Sequence, residues 1–278
     1  MPAAPTVAYA RPVSTPPFGT LLRDWRHRRR LSQLDLALEA GVSTRHLSFV
    51  ETGRAKPSAD MVLHLADELQ VPLRERNRLL LAAGYAPVYE ERALDEPEMQ
   101  PVHEAVQAVL DGHEPYPAIT VDRAWALVAH NRAAGALMAG LPEHLLAPPM
   151  NVLRASLHPE GLAPRIVNLA QWKAHILERL GRQVQLTGDP ALRTLYEELE
   201  AYPAPPGDPG PTSEVAVPLR LRIPGGELRF ISTVTTFGTP ADITVEELSI
   251  ESFFPADRAT AAYLGGRGGD PGAGRDEQ

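Results

Sequence analysis

The chain of 278 residues contains no cysteine, which excludes disulfides, thiol redox sensing and cysteine-ligated metal. No stretch approaches the roughly 20 apolar residues that a membrane-spanning helix needs. The first 17 residues, rich in proline and alanine, lack the apolar core of a signal peptide. These absences predict a cytoplasmic protein with no membrane partner.

Catalytic patterns are also missing. The nine histidines stand at spacings that fit neither a paired-histidine helix nor a metal turn. There is no Gly-x-Ser-x-Gly segment and no glycine loop of the kind that holds phosphates. We therefore expect no enzymatic activity, no metal site and no cofactor.

The acidic charge of the chain is unevenly distributed. The formal net charge is −8, but residues 18–84 carry eleven Lys and Arg against eight Asp and Glu. That segment is therefore +3, and the rest of the chain is −11. An acidic protein with one basic segment is compatible with nucleic-acid binding by that segment.

The basic segment contains two short helical patterns that meet at a glycine. Ser32 is a suitable cap for the first helix, whose apolar surface is assigned to Leu34, Leu36, Ala37 and Leu38. Gly41 stands at the turn, and Ser43 caps a second helix from Ser43 to Thr52. This arrangement is typical of a helix-turn-helix.

The second helix is predicted to read DNA. Leu47 and Val50 form its apolar stripe, so the remaining side chains project elsewhere. Arginine can donate two hydrogen bonds to a guanine edge, and hydroxyls can contact a base or a phosphate. For Phe49 a thymine contact and a solvent-edge position are equally open. The projecting residues are Thr44, Arg45, Ser48 and Phe49.

A family match of the basic segment rests on Gln33, Ala37, Gly41, Val42, Ser43, Leu47, Val50, Glu51, Gly53, Arg54 and Lys56-Pro57-Ser58. Through these residues, the segment 18–84 resembles the Cro/C1-type helix-turn-helix of the xenobiotic-response-element family. The resemblance implies that Gln33, Arg54 and Lys56 touch backbone phosphates, and that Arg26 and Glu51 form an internal ion pair. Arg26 and the run from Arg28 to Arg30 are interpreted as approaching phosphates rather than as a solvated helix end. The predicted DNA-binding set is Gln33, Ser43, Thr44, Arg45, Ser48, Phe49, Arg54 and Lys56.

A second domain follows the basic segment. Its patterns are a hairpin over residues 118–122 and 125–129, then helices, then three antiparallel strands over residues 215–223, 227–237 and 243–254. Helices are predicted over residues 131–138, 152–157, 165–182 and 190–202. The predicted organisation is a disordered tail at 1–17, the DNA-binding domain at 18–84, a linker at 85–100, the second domain at 101–264 and a disordered tail at 265–278.

Three short segments of the second domain have a family resemblance. The runs Tyr116 to Trp125, His130 to Ala134 and Asn151 to Arg154 are similar to the ligand-binding domain of MmyB-like transcriptional regulators. This resemblance implies a PAS-like domain with a fatty-acid-like ligand. The predicted fold class is therefore α+β, with a five-helix helix-turn-helix domain followed by a PAS-like antiparallel sheet with helices.

A sheet that faces helices can enclose an apolar pocket, although large hydrophobic residues belong to the core by default. Asn131 is equally suited to cap a helix, and Arg154 to pair with an acidic neighbour. The candidate ligand-binding residues are Trp125, His130, Asn131, Arg154, Trp172, Ile176, Phe230 and Phe237.

The predicted function is a DNA-binding transcriptional regulator that senses a small apolar, fatty-acid-like molecule. A homodimer on a double-stranded operator is the expected assembly. The alternative is a helix-turn-helix protein whose second domain is a dimerisation or protein-interaction module without a ligand.

Overall fold

A computed structural model describes residues 16–205 and 216–267 of the chain. The described residues form two compact units that divide between Glu90 and Glu91. This division falls within residues 85–100, the predicted linker. The first unit is helical and the second combines a sheet with helices, so the predicted α+β class is confirmed.

The first unit consists of five helices around an apolar core that includes Leu22, Trp25, Leu47 and Leu65. Serine side chains begin three of these helices, each accepting a hydrogen bond from the first-turn backbone. The helices are α1 (Phe18–Arg28), α2 (Gln33–Glu39), α3 (Thr44–Glu51), α4 (Ala59–Glu68) and α5 (Leu73–Ala82).

Two glycines set the geometry of this unit. Gly41 has φ +61°, a left-handed conformation that lets the chain turn between α2 and α3. A Cβ at Gly19 would lie 2.3 Å from the backbone oxygen of Glu51. Glycine at position 19 therefore allows α1 to approach the end of α3 closely.

The apolar surface of α2 is smaller than the sequence suggested. Leu36 and Ala37 are buried, whereas Leu34 and Leu38 are 55% and 71% exposed. The four positions were assigned to one surface, but 34 and 38 lie on the opposite side of the helix from the core. Only one pair of residues therefore anchors α2.

The second unit contains a five-stranded antiparallel sheet with the order β2-β1-β5-β4-β3. Ile119 and Val121 of the first strand face the main core, while Ala118 faces a smaller cluster with Leu110 of the preceding helix. The sheet thus has packed helices on both faces. The strands are β1 (Ala118–Val121), β2 (Leu127–His130), β3 (Leu219–Ile223), β4 (Gly226–Thr236) and β5 (Ser249–Pro255).

The helices of this unit include one long element, α10, whose side packs in the main core through Trp172, Ile176 and Leu180. Short 3₁₀ turns occur at Pro97–Met99 and Ala163–Arg165. The helices are α6 (Gln100–Gly112), α7 (Arg132–Met138), α8 (Glu143–Leu146), α9 (Val152–Leu157), α10 (Leu169–Thr187), α11 (Pro190–Ala201), α12 (Ile243–Glu247) and α13 (Arg258–Arg267).

Several sequence predictions in this unit were wrong in part. The last predicted strand begins as helix α12, because Asp242 accepts a hydrogen bond from the Thr244 backbone at 2.8 Å and caps it. Helix α13 enters the predicted tail at residues 265–267, with Leu264 buried. Helix α10 starts four residues after 165, because Ile166 forms a bridge with Leu221 instead.

Other predictions concern residues outside those that the structure describes. They are the tail predictions for residues 1–15 and 268–278, and residue 215 of the strand predicted over 215–223. Residues 216–218 are described and precede β3, so that strand begins later than predicted. Among the described helices, none is long and apolar enough to cross a membrane.

Candidate functional site

The outer surface of α3 carries the residues predicted to read DNA. Thr44 and Arg45 are exposed, and Ser48 and Phe49 are partly exposed. The guanidinium carbon of Arg45 lies 5.3 Å from the centre of the Phe49 ring, four residues later on the same side of the helix. The aromatic ring therefore supports the arginine through a cation–π contact. The opposite side of α3 is buried through Leu47 and Val50.

Ser43 begins α3, since its Oγ accepts a hydrogen bond from the backbone of His46 at 3.1 Å. This contact fixes the first turn of the helix, and with it the direction of Thr44 and Arg45. Ser43 itself is exposed beside them. Its structural role does not require DNA, and its contact with DNA stays a prediction.

A buried ion pair holds α1 against α3. Arg26 donates from Nε to Glu51 Oε1 at 2.7 Å and from Nη2 to Oε2 at 3.0 Å. Gln33 donates from Nε2 to the same Oε2 at 2.7 Å, and Arg23 donates to the Glu51 backbone oxygen at 3.2 Å. The pairing expected between Arg26 and Glu51 is present. Gln33 was expected to contact a backbone phosphate, and its side-chain amide hydrogen-bonds the Glu51 carboxylate of this ion pair.

The electrostatics of this pair favour an ionised glutamate. Burial alone would raise the pKa of Glu51, but hydrogen bonds from Arg26 and Gln33 and the charges of Arg26 and Arg23 outweigh it. The pKa of Glu51 therefore lies below its ordinary value. The pair remains charged near neutral pH, which keeps α1 and α3 in a fixed relation.

The basic residues around the motif divide into two groups. Arg29 donates to the backbone oxygens of Leu69 and Gln70 at 2.7 and 2.8 Å, so it caps the end of α4. Residues 28–30 were predicted to approach DNA phosphates. The hydrogen bonds of Arg29 within the helical unit explain this residue without DNA. Arg54 is exposed after α3, and the Nζ of exposed Lys56 lies 5.1 Å from the Tyr85 ring centre.

The second unit contains a partly open cavity of about 100 Å³ between the sheet and the helices. Most of its wall is apolar, and α10 supplies one side of it. An engineered cavity of roughly 150 Å³ in another protein stays dry and binds benzene, so a space of this order suits a small apolar group. Apolar residues of the wall include Ile119, Trp125, Met150, Trp172, Ile176 and Phe253.

Four polar side chains also line the cavity: Ser156, His175, Arg179 and Glu251. Arg179 donates from Nη1 to Glu251 Oε1 at 3.0 Å, and its guanidinium carbon lies 4.5 Å from the Trp125 ring centre. The Ser156 Oγ accepts a hydrogen bond from Trp172 Nε1 at 3.1 Å. The polar part of the wall is therefore tied to the same tryptophans that form its apolar part.

His175 is the titratable group of the wall whose pKa is clearly perturbed. Burial lowers the pKa of its imidazole, and the charges of Arg179 and Arg182 lower it further. The carboxylates of Glu251 and Glu178 act in the opposite direction without reversing the shift. The imidazole is therefore uncharged at neutral pH.

Three of the eight predicted ligand-binding residues line the cavity, namely Trp125, Trp172 and Ile176. Phe230 is fully buried in the main core, and Phe237 packs on the smaller cluster on the other face of the sheet. For these two phenylalanines the default core interpretation holds. Neither of them lines the cavity.

The three polar residues predicted from the sequence to bind a ligand also lie outside the wall of the cavity. His130 is exposed at the end of β2. Asn131 caps α7 through the Ala134 backbone and also accepts from the Ala118 backbone, each at 3.0 Å. Arg154 forms two hydrogen bonds of 2.6 Å to Glu198. The structural alternatives considered for Asn131 and Arg154 therefore explain both residues.

Sequence reasoning missed the polar wall, although part of it had a detectable signal. His175 and Arg179 follow Trp172 and Ile176 at the spacing of a single helix face. Glu251 alternates with Phe253 on β5, so both point to the same side of the sheet. The contact of Arg179 with Glu251 joins residues 72 apart, which spacing along the chain does not indicate.

Within residues 16–205 and 216–267, no group of three His, Asp or Glu side chains is placed to hold a metal ion. The arrangement instead offers two separate chemistries. One is a polar and basic helix surface on a rigid helical unit. The other is an apolar cavity with a small polar wall.

Comparison with known proteins identifies both units. Residues 102–265 match the family described as MmyB-like transcription regulator ligand binding domain, and residues 17–79 match a helix-turn-helix domain family. The chain is also similar to the uncharacterized HTH-type transcriptional regulator RghRB of Bacillus subtilis (strain 168). The two are 36% identical over 104 residues, which cover 36% of this chain and 73% of that protein. The chain therefore belongs to the MmyB-like helix-turn-helix transcription regulators.

Proposed function

We propose that this DNA-binding regulator reads its operator with α3 as a homodimer, and that its second unit binds a small apolar, fatty-acid-like molecule. The ligand changes the spacing of the two recognition helices and so changes operator affinity. The observation that carries the ligand part is the apolar cavity with Trp125 and Trp172 in its wall. The part that concerns DNA rests on the outer surface of α3.

The outer surface of α3 supports sequence-specific reading. Arg45 is exposed and stacked on Phe49, which restricts the orientation of its guanidinium. A restricted guanidinium loses less conformational freedom when it donates two hydrogen bonds to guanine. Thr44 and Ser48 flank it on the exposed side. Arg54, Lys56, Gln33 and Ser43 are proposed to contact phosphates, which position the helix without reading bases.

The DNA proposal is tested by selecting bound fragments from a random pool of duplex DNA with the full-length protein. A two-fold dimer predicts an inverted repeat whose half-site centres lie about 10 base pairs apart, or a multiple of that distance. An enriched single half-site would contradict the dimer alone. A pool without enrichment at moderate salt would contradict sequence-specific reading.

The cavity supports the ligand proposal through its chemistry and its size. Binding pockets are typically apolar with a few polar groups that orient the ligand, and the cavity matches that description. Its volume of about 100 Å³ suits a short apolar chain or the end of a longer one. Packed core residues alone would not require Ser156, His175 and Arg179 around an open space.

The ligand proposal is tested by native mass spectrometry of freshly purified protein and by thermal-shift titration with medium and long acyl chains, each supplied both as the free acid and as the neutral amide. A ligand that binds the native state raises the melting temperature in proportion to the logarithm of its concentration above Kd. We expect a saturable shift for at least one chain length. A flat profile with no retained mass would support the alternative, a dimerisation or protein-interaction module without a ligand.

A further inference from the structure

The polar wall of the cavity is neutral as a whole. Arg179 and Glu251 carry opposite charges and share a hydrogen bond of 3.0 Å. The Glu251 side chain is 7% exposed and that of Arg179 is 25% exposed. The carboxylate is therefore the more deeply buried partner, and it depends on Arg179 for its compensation.

The other contacts of the wall restrict how far this pair can rearrange. The Arg179 guanidinium lies over the Trp125 ring, and the Trp125 Nε1 donates to Gln183 Oε1 at 2.9 Å. Glu251 is held in β5, which pairs with β1 and β4 on its two sides. Arg179 thus faces a fixed carboxylate on one side and a fixed ring on another.

We infer that the cavity selects an uncharged apolar ligand, such as an alcohol, ketone, ester or amide with a short apolar chain, and discriminates against a free carboxylate. This inference rests on the proposed ligand-binding function and narrows its chemistry. An anionic head at Arg179 would either stand beside Glu251 and be repelled by it, or displace Glu251. Displacement would leave a buried carboxylate without its cation, which is strongly unfavourable.

A neutral polar head has suitable partners in the same wall. The Ser156 Oγ already accepts from Trp172 Nε1, and a hydroxyl group can donate as well as accept. The uncharged His175 imidazole provides one nitrogen that accepts and one that donates. A ligand hydroxyl or carbonyl can therefore form hydrogen bonds here without disturbing the charge balance of Arg179 and Glu251.

The test compares 1-octanol, octanamide and octanoate on the full-length protein at pH 7.5, where octanoate is ionised. A change in the intensity or wavelength of tryptophan emission reports binding, since Trp125 and Trp172 line the cavity. Trp25, the third tryptophan, is buried in the first unit and contributes a constant background. We expect the two neutral compounds to bind at least ten-fold more tightly than octanoate.

The variant Glu251→Gln identifies the source of this preference. The substitution keeps the shape of the side chain and removes its charge, so Arg179 becomes available to a ligand carboxylate. We expect octanoate to gain at least ten-fold in affinity while octanol changes less than three-fold. Glu227→Gln is the matched control, because Glu227 pairs with Arg220 at 2.6 Å in the same sheet but does not line the cavity.

The outcomes separate this inference from the proposed function. If octanoate binds the wild-type protein as tightly as octanol or more tightly, the cavity takes carboxylates and the inference is wrong, while the ligand-binding function stands. If none of the three compounds binds, the ligand-binding function fails and the inference fails with it. Circular dichroism confirms that Glu251→Gln is folded, and the comparison in wild-type protein is decisive if it is not.

Discussion

Both units contain an arginine–glutamate pair whose carboxylate is buried, but the two pairs have different surroundings. Arg26 and Glu51 form two hydrogen bonds, and their side chains are 7% and 0% exposed. Arg179 and Glu251 form a single one of 3.0 Å beside a cavity, with the arginine 25% exposed. The first pair fixes the distance between two helices. The second forms part of the wall of a cavity. We propose that similar chemistry serves rigidity in the first unit and ligand selectivity in the second.

The largest difference between the pairs is expected on removal of the carboxylate. Glu51→Ala leaves the Arg26 guanidinium buried without a counter-charge, which should cost about 3–5 kcal/mol of stability. Glu251→Ala should cost clearly less, because the Arg179 side chain is already 25% exposed and its charge stays in contact with solvent. Urea denaturation of the full-length variants, followed by circular dichroism, measures both. Equal losses would mean that the two pairs do not differ as proposed.

The next largest effect concerns the outer surface of α3, which is proposed to contact DNA and which the Arg26–Glu51 pair holds against α1. Arg45→Ala should reduce affinity for the selected operator by about 1–3 kcal/mol and relax discrimination at one base. Lys56→Ala should weaken binding to all sequences alike and reduce the salt dependence of binding. Competition binding with operator and scrambled duplexes measures both variants. Equal losses that ignore sequence would indicate that α3 is not the reading helix.

The two units also differ in how much of them could be predicted from the sequence. In the first unit the helix-turn-helix residues lie close together along the chain, and glycine, serine caps and apolar spacing act locally. The orientation of Arg45 and Thr44 therefore followed from helical periodicity alone. The exposure of Leu34 and Leu38 did not, because periodicity cannot distinguish a wide apolar surface from a narrow one.

In the second unit the cavity is assembled from residues between positions 117 and 253. Trp172 and Ile176 were found because a helical stripe contains them. Asn131 and Arg154 were chosen for their polarity. Asn131, however, hydrogen-bonds nearby backbone and Arg154 hydrogen-bonds Glu198, so these interactions explain both polar side chains. The segment from Ile243 to Val245 fits both a strand and a short helix, and the cap by Asp242 favours the helix.

A smaller change in stability is expected from a substitution in β1, where the sheet packs against α6. Thr120 is completely buried in β1, and its hydroxyl is without a hydrogen-bond partner. Burying this hydroxyl has a desolvation cost that no hydrogen bond offsets. Thr120→Val should therefore stabilise the second unit by about 1 kcal/mol. Thr120→Ser is the control, since it keeps the hydroxyl and loses a methyl group. A less stable valine variant would mean that the hydroxyl has a partner such as water.

The smallest effect is expected from His175, and it tests whether the cavity wall is neutral. The pKa of His175 is lowered in the folded protein by burial, then by Arg179 and Arg182, and is partly restored by Glu251 and Glu178. The unfolded chain therefore binds more protons than the folded one as the pH falls below about 6.5. The stability contributed by the neutral imidazole is complete above that pH and declines below it.

His175→Gln should remove this decline, so the stability difference between wild type and variant should shift between pH 7.5 and 5.5 in urea titrations. A difference that stays constant over this range would show that the imidazole is no harder to protonate in the fold than in the unfolded chain, and that the wall tolerates charge.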